Sequence, residues 1–361
     1  MPDQPTSAAT TPRLEQIVSF AEVERDWSNL AEAGGDIFST WEWASIWWRH
    51  FGAGGELDLT ACRNAHGDLL AILPLFRKRI GPLRVTRLVG YPIGSRAHPV
   101  CGPSNRTSAA LGLVAALERQ KTDLFIGEGF PEDEGWAERL PGTTVASVPS
   151  PTLMLTPFET WDDYLETRSS NFRQDIRRKE RKLLRDNDVV YRLATDRGRL
   201  ESDVDAFLSL HADRWATGSS LLETSRIAFH REFARVAFDR GWLRLWFLEL
   251  AGEPAAAWYG FRFGGVETYY QAGRAPAHAD GSLGVVLLAH TIREALGDGV
   301  AEYRFGPGGS SYKYRFTDTD PGLRTVLIPT SRRGRLAVSA SSLTSRSAVL
   351  RRSVAKLVRR S

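Results

Sequence analysis

Apolar and polar residues follow two different rhythms along this chain, and the changes of rhythm mark its elements. The first thirteen residues, MPDQPTSAATTPR, are polar and predict a disordered N-terminus. Ser39 then stands as a cap before a helix whose face carries Trp41, Trp43, Ile46 and Trp47. Strand patterns LDLTAC and LLAILPLF flank a turn at Asn64–Asp68. Thr160 opens a helix, and Ser170-Asn171 opens a second, NFRQDIRRKERKLLRD, with Phe172, Ile176 and Leu183 on one face. Helical spacing returns over Asp203–Trp215 and Arg226–Asp239. Three strand patterns follow, LRLWFLEL, PAAAWYGFRFG and ETYYQAG, then a helix from Leu283 to Leu296 and a closing strand AEYRFG.

Two stretches share one plan. LTACRNAHGDLLAILPLFRK and RLWFLELAGEPAAAWYGFRF each read as an apolar strand, a turn and a longer apolar strand, with Gly67-Asp68 standing where Gly252-Glu253 stands. Helices, an antiparallel meander, a helix and a last strand make an α+β unit, used here twice. The expected limits are 14–150 for the first unit and 151–330 for the second, with residues 331–361 as a tail.

The 361 residues are 42% hydrophobic and 25% charged, which suits a globular protein of about two domains. Two cysteines, Cys62 and Cys101, do not make a disulfide scaffold, and no metal-ligand spacing occurs among the seven histidines, so no metal is expected. The N-terminus lacks the order of a secretion signal and no apolar run approaches the ~20 residues of a membrane span, so the cytoplasm is the expected place. The net charge of +4 hides an asymmetry. No acidic residue follows Asp320, and residues 321–361 hold ten arginines and lysines, so residues 1–320, with 37 basic and 43 acidic residues, carry −6. The tail mixes these charges with Val349, Leu350, Val354, Leu357 and Val358. It reads either as a solvated end or as a short amphipathic helix for an anionic surface, such as the inner face of a membrane.

Only six of the 47 basic residues are lysines, so a lysine beside a glycine turn stands out. Lys313 lies in YRFGPGGSSYKYRF and is read as either a chosen charge or a surface lysine after a turn. The loop AGRAPAHADGSLG runs from a strand into a helix. There Gly281, Ser282 and Gly284 either offer backbone N–H groups to a phosphate or serve as turn residues. Arg173 and Arg177 lie one helical turn apart and either grip an anionic group or belong to a solvated face. Nucleic acid is disfavoured by the negative charge of residues 1–320. His211 and Trp215 share a helical face, as packing or as part of a site.

Taken in order, these segments resemble a known family: FSTWEWASIWWRHFG, the arginine-rich helix after Asn171-Phe172, LHADRW, YYQAG, the glycine-bearing helix start and the closing Tyr-Lys-x-Arg-Phe. The chain is similar, over residues 14–330, to CelD-type acetyltransferase-like proteins of the GNAT superfamily, relatives of the FemAB peptidoglycan aminoacyltransferases. The resemblance implies two tandem GNAT-like domains, each with a mixed sheet flanked by helices, and acyl transfer mainly in the second. It places an acyl-CoA donor, acetyl-CoA among them, at Gly281, Ser282 and Gly284. Lys313 would favour a developing oxyanion. Tyr312 or Tyr270 would serve the leaving thiolate or orient the acceptor. Arg173, Arg177, His211, Trp215 and Gln271 fall to substrate binding. The acceptor would be a small molecule or a glycan or envelope precursor, in polysaccharide or cell-envelope biosynthesis. Members often carry an acidic residue before Tyr-Lys, where this chain has Ser310-Ser311, and the usual pyrophosphate signature is reduced to AHADGSLG. Aminoacyl-tRNA as donor therefore stays open, as does a non-catalytic accessory role in exopolysaccharide assembly.

Overall fold

A computed structural model describes residues 11–214, 218–278 and 282–344 of the chain. They divide into two units, one of residues 11–34, 38–148 and 322–344 and one of residues 35–37 and the described residues of 149–321.

The first unit begins with β1 (Arg13–Ile17), α1 (Glu24–Gly34) and α2 (Trp41–Phe51). Thr40, rather than the expected Ser39, caps α2, its hydroxyl accepting the Trp43 N–H. Ser39 instead closes a 3-10 turn just before it. The expected hairpin follows as β2 (Glu56–Arg63) and β3 (Leu69–Ile80). Its turn is held by the Asn64 carboxamide oxygen, which accepts the N–H groups of His66 and Asp68, both at 2.9 Å. Next come β4 (Leu83–Leu88), α3 (Arg106–Arg119), β5 (Leu124–Pro131), α4 (Trp136–Arg139) and β6 (Thr143–Val148). The core under this sheet gathers Leu73, Leu75, Leu113, Phe125, Phe130 and Trp136.

The second unit holds β7 (Thr152–Met154), α5 (Trp161–Glu166), α6 (Ser170–Asp186), β8 (Val189–Leu193), α7 (Leu200–Arg214), α8 (Thr224–Asp239), β9 (Leu243–Leu250), β10 (Glu253–Phe263), β11 (Val266–Arg274), α9 (Ser282–Gly297) and β12 (Glu302–Arg304). Thr160 and Asp163 cap α5 reciprocally, each side chain accepting the other's backbone N–H. Ser169 caps α6, which buries Phe172, Ile176 and Leu183 as its spacing requires.

The last strand, β13 (Leu323–Pro329), lies between β5 and β6 and pairs antiparallel with both. The first sheet thus runs β1-β2-β3-β4-β5-β13-β6, and the second β7-β12-β11-β10-β9-β8. The expected limit at 330 placed residues 323–329 in the second unit. Their pairing puts them in the first, because β6 has β13 as its neighbour in the sheet. The tail also starts folded. Residues 332–344 form α10 (Arg332–Thr344), and an added Cβ at buried Gly334 would lie 1.8 Å from the Asp123 carbonyl. The apolar positions 349–358 lie outside the described residues, as do residues 1–10.

The two sheets share a topology. In each, a four-stranded antiparallel meander ends on a strand that pairs parallel with the one after the crossover helix, over three positions only. These are Val85–Arg87 with Leu124–Ile126 in one unit, and Val266–Thr268 with Glu302–Arg304 in the other. The fold is α+β, two mixed sheets flanked by helices.

Candidate active site

In the second unit, β11 runs six residues beyond its last pair with β12, while the chain after Arg304 turns towards β7. Phe305 N–H donates to Pro151, and Gly308 N–H to Pro149 at 2.7 Å. The two parallel strands therefore part. A cavity of about 270 Å3 opens where they do, walled by Tyr269, Ala272 and Gly273 of β11, Gly284 at the start of α9, Tyr312 and Arg214. Parting leaves residues 269–274 of β11 without ladder partners from β12, and on this edge the Ala272 carbonyl is met by His211 instead.

Glycines shape this wall. At Gly273 an added Cβ would lie 2.5 Å from the His211 N and the Leu210 carbonyl carbon, so α7 is pressed directly onto the strand. At Gly284, which lines the cavity, an added Cβ would meet none of the described residues within 4 Å.

A bulge decides which tyrosine faces the cavity. Along β10 and β11, Tyr259 pairs with Gln271 but Gly260 pairs with Tyr269, leaving Tyr270 as the extra residue. Tyr269 stacks on Trp258 at 5.7 Å and lies beside Tyr312. Tyr270 points to the other face, where its hydroxyl meets His230 Nε2 at 3.1 Å among Tyr259 and Phe261. Of the two expected tyrosines, Tyr312 lines the cavity and Tyr270 does not. Its neighbour Tyr269, which the sequence reading passed over, does. Burial raises the pKa of both Tyr312 and Tyr270, so both stay protonated. Gln271 is half-buried on the same strand.

Lys313 is 4% exposed and its Nζ donates to the carbonyls of Gly306, Pro307 and Gly308, each at 2.9 Å. An ammonium has three protons, and all three are spent. Positive φ at Gly306 (70°) and Gly308 (100°) lets three successive carbonyls converge on one cation. Burial lowers the pKa to about 8, with Asp320 opposing. Lys313 thus has no proton left for an oxyanion in this arrangement. It folds the 305–309 loop and anchors the segment that presents Tyr312. It is a positioning residue.

His211 is 1% exposed. Its Nδ1 lies 3.0 Å from the carbonyl of Ala272, a cavity residue, and so carries the proton. Nε2 then accepts from the Ser219 hydroxyl at 2.7 Å. Burial lowers its pKa, keeping the ring neutral at pH 7. Ser219 was not anticipated. It lies eight residues on, past the end of the helix, where helical periodicity gives no signal.

The arginine pair lies elsewhere. Arg173 donates to the carbonyls of Glu166 and Arg168, and the Arg177 guanidinium pairs with Asp162 at 2.9 Å. They tie α6 to the α5 end and do not line the cavity. Ser282 begins α9 and borders a different depression, with Lys182 and Leu283. Gly281 and Trp215 fall outside the described residues. Among the described residues no group of three or more His, Cys, Asp or Glu is placed to hold a metal, and no helix is long and apolar enough to cross a membrane.

Comparison with known proteins fits this geometry. Residues 170–314 match the family model described as acetyltransferase (GNAT) domain. No curated protein matches by sequence. The chain is similar in fold to FemX, with a TM-score of 0.59 and 11% identity over 87% of this chain and 95% of that one. It is likewise similar to L-PGS from Bacillus licheniformis, at 0.53 and 13% over 88% and 95%. A conserved protein of unknown function from Bacteroides thetaiotaomicron VPI-5482 gives 0.52 and 12% over 88% and 98%. The chain shares its fold with these structures along most of its length, and the stretch that matches the GNAT acetyltransferase domain model, from α6 to Tyr314, encloses the cavity between β11 and α9.

Proposed function

We propose that this protein transfers an acyl group from acyl-CoA to an amine or hydroxyl acceptor, with the reaction in the cleft between β11 and β12. The observation that carries the reading is that cleft: two parallel strands that pair over three residues and then part around a cavity. An extended pantetheine arm, with its two amides, suits a strand edge that runs on past its last pair with β12. Gly284 and the first turn of α9 offer backbone N–H groups towards its phosphates.

The acceptor nitrogen or oxygen attacks the thioester carbon, the tetrahedral intermediate collapses, and the C–S bond breaks. Two protons need handling. His211 is held neutral, with Nδ1–H fixed by Ala272 and Nε2 turned to Ser219. We assign the acceptor's proton to this pair, Ser219 passing its own proton to Nε2 as it takes the new one. Tyr312 keeps its proton through burial and is assigned to the leaving sulfur. Lys313 holds the loop that aims Tyr312. From the resemblance, the acceptor is assigned to envelope or polysaccharide precursors.

The test is thermal unfolding of the full chain with acetyl-CoA, longer acyl-CoAs and uncharged tRNA. Acyl-CoA is expected to raise Tm by mass action, and Gly284→Asp is expected to remove that rise. A shift with tRNA alone would transfer the donor role to aminoacyl-tRNA. No shift with any of them would leave an accessory protein.

A further inference from the structure

On the first unit, the turn between β3 and β4, residues just before β5 and the start of α10 surround a depression of about 410 Å3. Its walls carry Arg79, Arg84, Lys121, Arg332 and Arg333, against a single carboxylate, Asp123. That carboxylate is already engaged. Oδ2 accepts the Arg84 backbone N–H at 2.9 Å and Oδ1 accepts the Ser331 hydroxyl at 2.6 Å, which holds its pKa low.

Two other surface arginines of this unit have acidic partners, Arg63 with Glu15 at 2.7 Å and Arg77 with Glu56 at 3.2 Å. Among the described residues, none of the five cations around the depression forms a salt bridge. The polar contact found is from the Arg84 guanidinium to the Lys121 carbonyl at 3.3 Å. Five like charges around one hollow repel one another unless an anion is supplied from outside.

The helix α10 shows what kind of anion. Gly334 and Val338, four residues apart, turn inward, Val338 packing beside Leu124, Ile126 and Leu327. The outer side therefore presents Arg332, Arg333 and Arg335 together with Leu336, which is 71% exposed. An exposed leucine among arginines suits a surface that is anionic at its rim and apolar beneath. The sequence after α10 continues the same mixture, with Val349, Leu350, Val354, Leu357 and Val358 among Arg351, Arg352, Lys356, Arg359 and Arg360. Backbone phosphates of RNA would call for the charges but not for the leucine.

We propose that this face of the first unit docks on an anionic phospholipid surface. The folded residues, not the terminal segment alone, supply the binding charge, and Leu336 enters the headgroup layer.

The test uses the full chain and sedimentation with vesicles of phosphatidylcholine, with and without phosphatidylglycerol, at low salt. Binding to the anionic vesicles alone is expected, falling as salt rises. Arg332→Glu with Arg333→Glu should weaken it about tenfold or more, and Arg79→Glu with Arg84→Glu should do the same from the other wall of the hollow. Leu336→Ser should weaken it severalfold at unchanged charge, which an RNA surface would not notice. All the substituted side chains are exposed, so an unchanged Tm is the folding control. Unchanged vesicle binding in both charge-reversed variants would overturn the proposal, since the terminal segment would then suffice. So would binding to tRNA without binding to vesicles.

Discussion

Both units build the same wedge, and only one keeps it open. In the first, β4 leaves β5 after Arg87, but the chain that follows folds back across the gap. Ala97 N–H donates to the Gly129 carbonyl at 3.3 Å, and an added Cβ at Gly129 would lie 2.8 Å from the Ser95 carbonyl oxygen. Arg87 and Glu128 lie buried beside each other at 3.5 Å, and burial lifts the Glu128 pKa to about 7. In the second, β11 leaves β12, none of the described residues is laid across Gly284, and the space is lined by hydroxyls and strand edge. The strand order creates a wedge in each unit. Whether the wedge can hold a ligand is decided by the few residues that follow the parallel strand.

Breaking the open wedge should have the largest effect. Gly284→Asp sets a carboxylate at its mouth, in space where the side chain fits. Acyl-CoA affinity should drop by several kcal/mol, a hundredfold or more, from like-charge repulsion with the donor's phosphates, with Tm unchanged. Equal acyl-CoA titrations for variant and wild type would leave the two wedges functionally alike.

Next comes the loop that holds the wedge open. Lys313→Ala strands three carbonyls and should cost about 3 kcal/mol in urea unfolding. Lys313→Arg should fare little better, since a planar fork cannot reach three carbonyls converging on a point. An arginine variant with wild-type stability would show that the cradle is not what orders the loop.

The bulge separates two neighbouring tyrosines, and their phenylalanine variants should separate likewise. Tyr312→Phe should lower kcat by about 10- to 100-fold with little change in stability. Tyr270→Phe should leave kcat alone and cost about 1 kcal/mol of stability, the value of one buried hydrogen bond. Reversed outcomes would mean that the register across the bulge is different from the one described.

A last difference between the units is one of pH. Burial lowers the pKa of His230 to about 3 and of His290 to about 4, both in the second unit. Unfolded, each takes a proton near pH 6.5, so the unfolded state binds more protons below that value. Their contribution to stability is complete above pH 6.5 and is lost as pH falls towards 4 and 3. Glu128 in the first unit runs the other way. The folded carboxyl keeps its proton up to about pH 7, the unfolded one only to about 4.5, so its contribution is complete below 4.5 and lost as pH rises to 7. His230→Phe should flatten the acid limb of unfolding free energy against pH, and Glu128→Gln the limb between 4.5 and 7. An unflattened limb in either variant would assign that slope to other groups.

Much of the second sheet could be read directly, because its strands are long and apolar and its turns carry glycine. LRLWFLEL is β9 residue for residue, and the helix expected at Leu283–Leu296 is α9 with one residue added at each end. The site was less legible. Alternation along YYQAG gives the wrong inward tyrosine, since an inserted residue reverses parity and nothing in the five letters announces it. Composition sets Lys313 apart, but whether an ammonium faces a ligand or its own backbone depends on the left-handed turns at Gly306 and Gly308 upstream. The boundary at 330 erred because a strand's partners are chosen by three-dimensional neighbours, and β13 reads the same whichever sheet it joins.

That last strand has a consequence for how the protein is made. A nascent chain emerges from its N-terminus at roughly 5–20 residues per second. β6 leaves the ribosome early, yet the strand that seats it against β5 is made only after the whole second unit. For on the order of ten seconds or more, the first sheet waits with a slot open between two of its own strands. During that interval the unit begun first is the one finished last, and a nascent fragment stopped near residue 150 holds an unsealed edge.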